Sequence, residues 1–240
     1  VAYQLYCYDG MPSMASQLGA LGYHTVAFHP YLSSGWNRTS VYRWMDFDRQ
    51  MYQEDVVGPQ YIRNYISDAS DYEQLYRLTD ETDGPLFVFN VTMQNHSGYA
   101  QGWKNLERSV ELAGESRGAS TVAAQYFSLI RESDNALREL IGHYKKSDER
   151  TMIVFFGDHQ PPLGNDFYEK LYGKKLDSRT TAEVFQQYEV PFFIWANYDL
   201  PEQDGVTLSS NLLGTLTMDL AGIPLTDYQR LHEKLLDALP

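Results

Sequence analysis

The 240 residues are 43% hydrophobic and 21% charged, which excludes a disordered, collagen-like or coiled-coil chain and suits one α/β domain over residues 1–240. Thirty-two acidic against 19 basic residues leave a net charge of −13, a surface that repels nucleic-acid phosphates and anionic membrane. An anionic substrate remains compatible with that balance where cations gather locally.

The pattern along the chain alternates. A helix over 13–21 stops at Gly22, and an apolar strand over 25–29 follows. A helix over 61–78 leads to a second strand over 86–93. The segment 95–119 is polar, glycine-bearing and long, the kind of loop that carries function. Over 120–144, Val122, Tyr126, Leu129, Ile130, Leu137, Leu140, Ile141 and Tyr144 recur at steps of three and four, one face of a helix. A third strand covers 152–156, a helix 180–188, a fourth strand 191–196, and two helices 209–220 and 227–239. None of the four strands alternates with polar residues, so each is buried on both faces. Strands separated by helices then predict a mainly parallel sheet flanked by helices.

Cys7 is the one cysteine, so no intrachain disulfide forms, and it lacks a histidine partner for thiol chemistry. No apolar run approaches the roughly 20 residues of a membrane span.

Ligands of parallel sheets bind at the carboxyl ends of strands. His29 ends the first strand, and His96 and His159 each follow a strand by three residues. Gly157-Asp158-His159 offers a carboxylate beside an imidazole, two ligands for a divalent metal; the plainer reading is a turn aspartate with a surface histidine. The glycine there allows a tight turn. In Asn95-His96-Ser97-Gly98, His96 can hydrogen-bond an anionic oxygen or exchange a proton; otherwise it caps a loop carbonyl. In Ser34-Gly35-Trp36-Asn37-Arg38, Arg38 can fork onto a phosphate or carboxylate and Trp36 can stack on a glycerol-like group, unless the tryptophan is core and the arginine surface. His24, His143 and His232 read as solvated, Asp80, Glu81 and Asp83 as a solvated turn, and Tyr188 and Trp195 as core.

Taken in order, His29-Pro30-Tyr31 with Ser34-Gly35-Trp36-Asn37-Arg38, then Asn95-His96-Ser97-Gly98, then Phe156-Gly157-Asp158-His159-Gln160 resemble the catalytic domain of lipoteichoic acid synthase-like phosphoglycerol transferases. These belong to the sulfatase group of the alkaline phosphatase superfamily, and the resemblance runs from about residue 11 to about 225. It implies transfer of phosphoglycerol from a phosphatidylglycerol-type lipid to a polymer or glycolipid of the cell envelope, through a threonine nucleophile. It also implies a divalent metal, typically manganese, with magnesium, zinc or calcium as alternatives. By position, Asp158 and His159 resemble metal ligands, and His96 resembles the histidine that contacts phosphate or assists the leaving group. His29, Trp36 and Arg38 resemble the substrate-binding group. The aspartate that some relatives carry two residues after the first histidine is here Tyr31.

The family's glutamate ligand and threonine nucleophile come earlier than this segment. The chain is therefore expected to be the C-terminal part of the catalytic domain, to hold metal weakly and not to turn over alone. The resemblance further implies a membrane-anchored protein whose catalytic domain lies outside the cell. Two neighbouring chemistries, sulfatase and phosphoethanolamine transfer, stay open, as does a non-catalytic module that binds an anionic glycan. A plain α/β domain with incidental histidines is the remaining alternative.

Overall fold

The computed structural model describes residues 5–113 and 120–238. Contacts group the chain into two compact units, Val1–Leu140 with Pro161–Arg179 and Ile141–Gln160 with Thr180–Pro240, where the sequence suggests one domain.

The first unit contains helix α1 (Met14–Ala20). Ser13 accepts the Ser16 amide at 3.0 Å and the Ser16 hydroxyl accepts the Ser13 amide at 2.9 Å, a reciprocal cap. Gly22, at φ 87°, ends the helix by letting the Tyr23 amide turn back onto the Leu18 carbonyl at 3.1 Å. Strand β1 (His24–Phe28) then runs parallel between β2 (Arg49–Met51) and β5 (Leu86–Asn90). Val26 and Phe28 pack with Met51, Val56, Ile66 and Leu78 on one side. Ala27 packs with Val41 and Tyr42 on the other. A strand covered on both faces has no polar face to alternate with, which is why the apolar run is continuous. Phe28 is fully buried, and truncating it to alanine costs about 3–5 kcal/mol.

Helix α2 (Arg38–Trp44) and strand β2 lie between β1 and the next expected helix. That helix, read over 61–78, is corrected by the structure. Its first part is an antiparallel hairpin, β3 (Tyr61–Ile62) and β4 (Tyr65–Ile66), with Tyr61 opposite Ile66. Arg63 sits at φ 58°, a conformation no helix admits, and aromatic and β-branched residues flank the turn. The helix proper, α3 (Asp68–Glu81), begins after Ser67, whose hydroxyl accepts the Ser70 amide at 3.2 Å. Helix α4 (Thr121–Tyr144) matches its periodicity: Ala123, Leu129, Ala136, Leu140 and Tyr144 are buried, while Ile130 lies at the exposed rim of the stripe. A short helix, α5 (Asn165–Tyr172), ends at Gly173 in the left-handed region.

In the second unit, β6 (Met152–Phe156) and β7 (Phe192–Ala196) pair antiparallel, Met152 opposite Ala196 and Phe156 opposite Phe192. Parallel pairing thus holds for β1, β2 and β5 and not for these two. An apolar run does not record direction, and these two strands, expected to be buried on both faces, are half-buried, with Phe156 47% exposed; the Asn197 side chain locks this pairing. It accepts the Thr151 amide at 2.9 Å and donates to the carbonyls of Tyr144 and Glu149 at 3.0 and 2.8 Å. Helix α6 (Thr181–Phe185) and a 3-10 turn (Gln186–Tyr188) precede β7. Tyr188 is 70% exposed and Trp195 half-buried, so neither is core as expected. Helices α7 (Ser210–Leu220) and α8 (Asp227–Ala238) close the unit, and residue 239 of the expected last helix lies outside the described residues. His232 is buried, not solvated, because Thr215 Oγ1 on α7 supplies a polar partner 3.1 Å from its Nδ1. Among the described residues no helix is long and apolar enough to cross a membrane.

Candidate functional site

β1 and β5 are neighbours and parallel, so the residues that leave their carboxyl ends emerge along one edge. His29 is the first of them. Its amide continues the ladder to Met51 at 3.0 Å, and its ring is buried. Nδ1 lies 2.7 Å from the Val91 carbonyl, which can only accept, so Nδ1 carries the proton and Nε2 is left as an acceptor. Burial pulls the imidazole down to about 4 against the pull of the Val91 bond, and the charges of Arg38 and His96 push the same way as burial. His29 is neutral at pH 7.

Seven residues on, the backbone is strained. Trp36 and Asn37 lie at φ 60° and 56°, and a bulky residue there costs roughly 1–3 kcal/mol. The strain leaves Trp36 55% exposed and starts α2 at Arg38. Arg38 itself is 9% exposed. Nη1 donates to the Leu32 carbonyl at 3.3 Å, and no carboxylate pairs with it among the described residues. Gly35 makes room for it, since a Cβ there would stand 3.3 Å from Nη2. A mostly buried guanidinium with one carbonyl partner has fork donors left for an anion.

His96 is exposed at the tip of the loop after β5. Its Nδ1 lies 3.2 Å from Tyr65 Oη. Rings link the two histidines: His29 to Tyr31 at 6.3 Å, Tyr31 to Tyr65 at 5.7 Å and Tyr65 to His96 at 5.6 Å. The structure therefore brings His29, Arg38 and His96 to one edge, with Trp36 in the connecting loop. Sequence reasoning missed Tyr65 and Arg63, which sit in a stretch read as helix.

Behind the loop lies a buried polar network. Asp68 accepts the Ser133 hydroxyl, and Ser133 Oγ accepts the side-chain amides of Gln94 and Asn95 at 3.0 and 2.7 Å. Asn90 Nδ2 donates to Asp71 at 2.5 Å. Burial pushes Asp68 up to about 6, opposed by its bonds from Ser133 and Gln94. Burial and the Asp68 charge hold Asp71 well above the usual carboxylate range.

Asp158 and His159 belong to the second unit, on an exposed turn after β6. Gly157 is not in the left-handed region; its hydrogen side chain instead allows a close approach, since a Cβ would stand 3.2 Å from Val190 Cβ. His159 Nε2 is 3.4 Å from Asp158 Oδ2. Two donors about 2.1 Å from one ion stand about 3.0–3.4 Å apart, so the pair suits adjacent positions on a divalent metal. Among the described residues no group of three or more histidine, cysteine or acidic side chains could hold a metal, so this is a two-donor set.

The sulfatase family model matches residues 8–223. A Rhizobium meliloti (strain 1021) protein named for cyclic beta-1,2-glucan modification is 30% identical over 226 residues, 92% of this chain and 35% of that protein. Lipoteichoic acid synthase 1 of Bacillus subtilis (strain 168) is 23% identical over 194 residues, 78% of this chain and 29% of the synthase. The phosphoglycerol transferase GacH of Streptococcus pyogenes, solved with sn-glycerol-1-phosphate, superposes with a TM-score of 0.76 at 18% identity, covering 99% of this chain and 60% of GacH. The chain thus spans about a third of these curated relatives, and the likeness to GacH is one of fold.

Proposed function

Because this chain belongs to the sulfatase family, we propose that it supplies the substrate-binding side of a metal-dependent phosphoglycerol transferase. The observation that carries this reading is Arg38, a mostly buried cation with no carboxylate partner among the described residues, beside a neutral imidazole. That pairing suits one phosphate and one hydroxyl, the two ends of glycerol phosphate.

In this reading Arg38 forks onto the phosphate oxygens. His29 Nε2 accepts a hydrogen bond from a glycerol hydroxyl, its neutrality secured by burial. Trp36 covers the carbon face of glycerol and excludes water from it. His96 meets a phosphate oxygen at the edge of the site or hands a proton to the leaving group. Asp158 and His159, in the second unit, would hold a divalent ion, manganese by the family resemblance; such an ion, when bound, polarises a phosphate ester and lowers the pKa of an attacking hydroxyl. The donor is an anionic phosphatidylglycerol-type lipid at the outer face of a membrane. The relative named for glucan modification shares more of this chain than the lipoteichoic acid synthase does, which favours a glucan hydroxyl as acceptor.

The test uses the longer protein, extended upstream of Val1 through the family's glutamate and threonine, and measures manganese-dependent release of glycerol phosphate from phosphatidylglycerol. Arg38→Gln and Asp158→Ala are each expected to lower kcat/KM by about a hundredfold or more. Full activity in Arg38→Gln, or hydrolysis of a sulfate ester in place of the phospholipid, would overturn the reading. Saturable glycan binding without turnover would mark a binding module instead.

A further inference from the structure

The β3–β4 hairpin carries a buried cation that no ion pair explains. Arg63 is 4% exposed and has no carboxylate partner among the described residues. Both Nη atoms of its guanidinium are spent on backbone, while the buried Nε has no partner. Nη2 donates to the carbonyls of Gln94 at 2.6 Å and His96 at 2.7 Å, and Nη1 donates to Gly98 at 3.4 Å. The rings of Tyr65 and Tyr99 flank it at 5.1 and 5.5 Å. Asn105 holds the hairpin in turn, donating to the carbonyls of Arg63 at 2.9 Å and Tyr61 at 3.1 Å. Three carbonyls around His96 therefore converge on one planar fork, which sets the loop's shape more tightly than single bonds would.

The same hairpin reaches the imidazole. Tyr65 is buried, and the acceptor within reach of its hydroxyl is His96 Nδ1 at 3.2 Å. Nδ1 is the acceptor that the described residues offer this O–H, so the inferred direction runs from Tyr65 to Nδ1. The remaining ring proton is then on Nε2. His29 is arranged the other way, with Nδ1–H on the Val91 carbonyl and Nε2 bare. The two imidazoles on this edge thus present opposite hydrogen-bonding faces, an acceptor at His29 and a donor at His96.

We propose that Tyr65, seated by Arg63, is a positioning residue that fixes His96 as the Nε2–H tautomer, so that His96 donates to an anionic oxygen while His29 receives a hydroxyl. The identity of those oxygens rests on the function proposed above; the tautomer assignment does not. It follows that Tyr65 and Arg63 act through His96 and not on the substrate. They also set which end of a phosphorylated polyol faces which histidine.

The experiment uses this chain labelled with 15N-histidine. Nitrogen–proton correlation spectra show which ring nitrogen of each histidine bears the proton. His29 is expected as Nδ1–H and His96 as Nε2–H. Tyr65→Phe removes one hydroxyl and no packing volume. It should turn His96 into a mixture of tautomers, with His29 and the unfolding midpoint unchanged. Nδ1–H at His96 in the native chain, or an unaltered His96 in Tyr65→Phe, would overturn the proposal. Arg63→Lys keeps the charge but not the fork, and should displace the His96 signals even with Tyr65 present; unmoved signals would remove Arg63 from the proposal. Should Arg63→Lys fail to fold, Tyr65→Phe decides alone. In the longer protein, Tyr65→Phe should lower kcat about two- to tenfold and shift its pH profile, with KM unchanged. Unchanged kcat in an active protein would refute the positioning role. An inactive longer protein with the expected spectra would sink the transferase reading and leave the tautomer assignment standing.

Discussion

Replacing Asp68 with asparagine tests whether the network behind the His96 loop stores a protonated carboxyl group. Asp68 is 2% exposed, its Oδ2 accepts the Ser133 hydroxyl, and its Oδ1 has no partner. Burial raises it from 3.8 to about 6, a difference that corresponds to about 3 kcal/mol. The pKa is higher in the folded chain, so over the window between those values the folded state binds more protons than the unfolded one. Stability from this group is fully present below about 4 and lost as pH rises through about 6. Asparagine keeps the shape and can accept from Ser133, but carries no charge at any pH. Urea denaturation of both chains at several pH values from 4 to 7 should therefore show the variant gaining about 2 kcal/mol on the native chain across that range. Asp71 adds in the same direction, because the Asp68 charge is one of the causes that holds it up. A difference that stays flat with pH, or one that falls, would refute the assignment.

His29 has the opposite sign. Its pKa is depressed from 6.5 to about 4, so its contribution is present above 6.5 and lost as pH falls through about 4. His29→Gln should flatten the acid limb of the stability curve, and the native ring should titrate near 4 in NMR. Trp36→Gly relieves a left-handed backbone, so stability should hold or rise by about 1 kcal/mol while affinity for glycerol phosphate falls. A substantial loss of stability would instead make Trp36 a packing residue.

The strands were legible as unbroken apolar runs: Thr25 to Phe28 because burial on both faces leaves no polar face, Met152 to Phe156 although that strand is only half-buried, with Phe156 47% exposed. The long helix was legible from the spacing of Leu129, Leu140 and Tyr144. Direction was not, because Phe192–Ala196 reads the same parallel or antiparallel. Nor was the hairpin: Tyr61-Ile62 and Tyr65-Ile66 carry the residues of strands, but two-residue strands are too short to show a period. The placement of His29, Arg38 and His96 could be anticipated from strand ends. Arg63 could not, since its partners are carbonyls 31 to 35 residues away, and a carbonyl has no sequence signature. His232 misled for a related reason, its partner Thr215 being on another helix.

Arg63 also bears on how this molecule meets its medium. The surface pairs Arg138–Asp134 and Arg230–Asp227 join charge to charge in water and weaken as ions are added. The Arg63 fork joins a charge to three neutral dipoles out of solvent, and mobile ions have little to screen there. For a chain of net charge −13, rising salt changes the long-range field that the proposed anionic donor would feel on approach, while the loop that would receive it keeps its form. Ionic strength becomes a control on encounter and not on the architecture of the recipient edge.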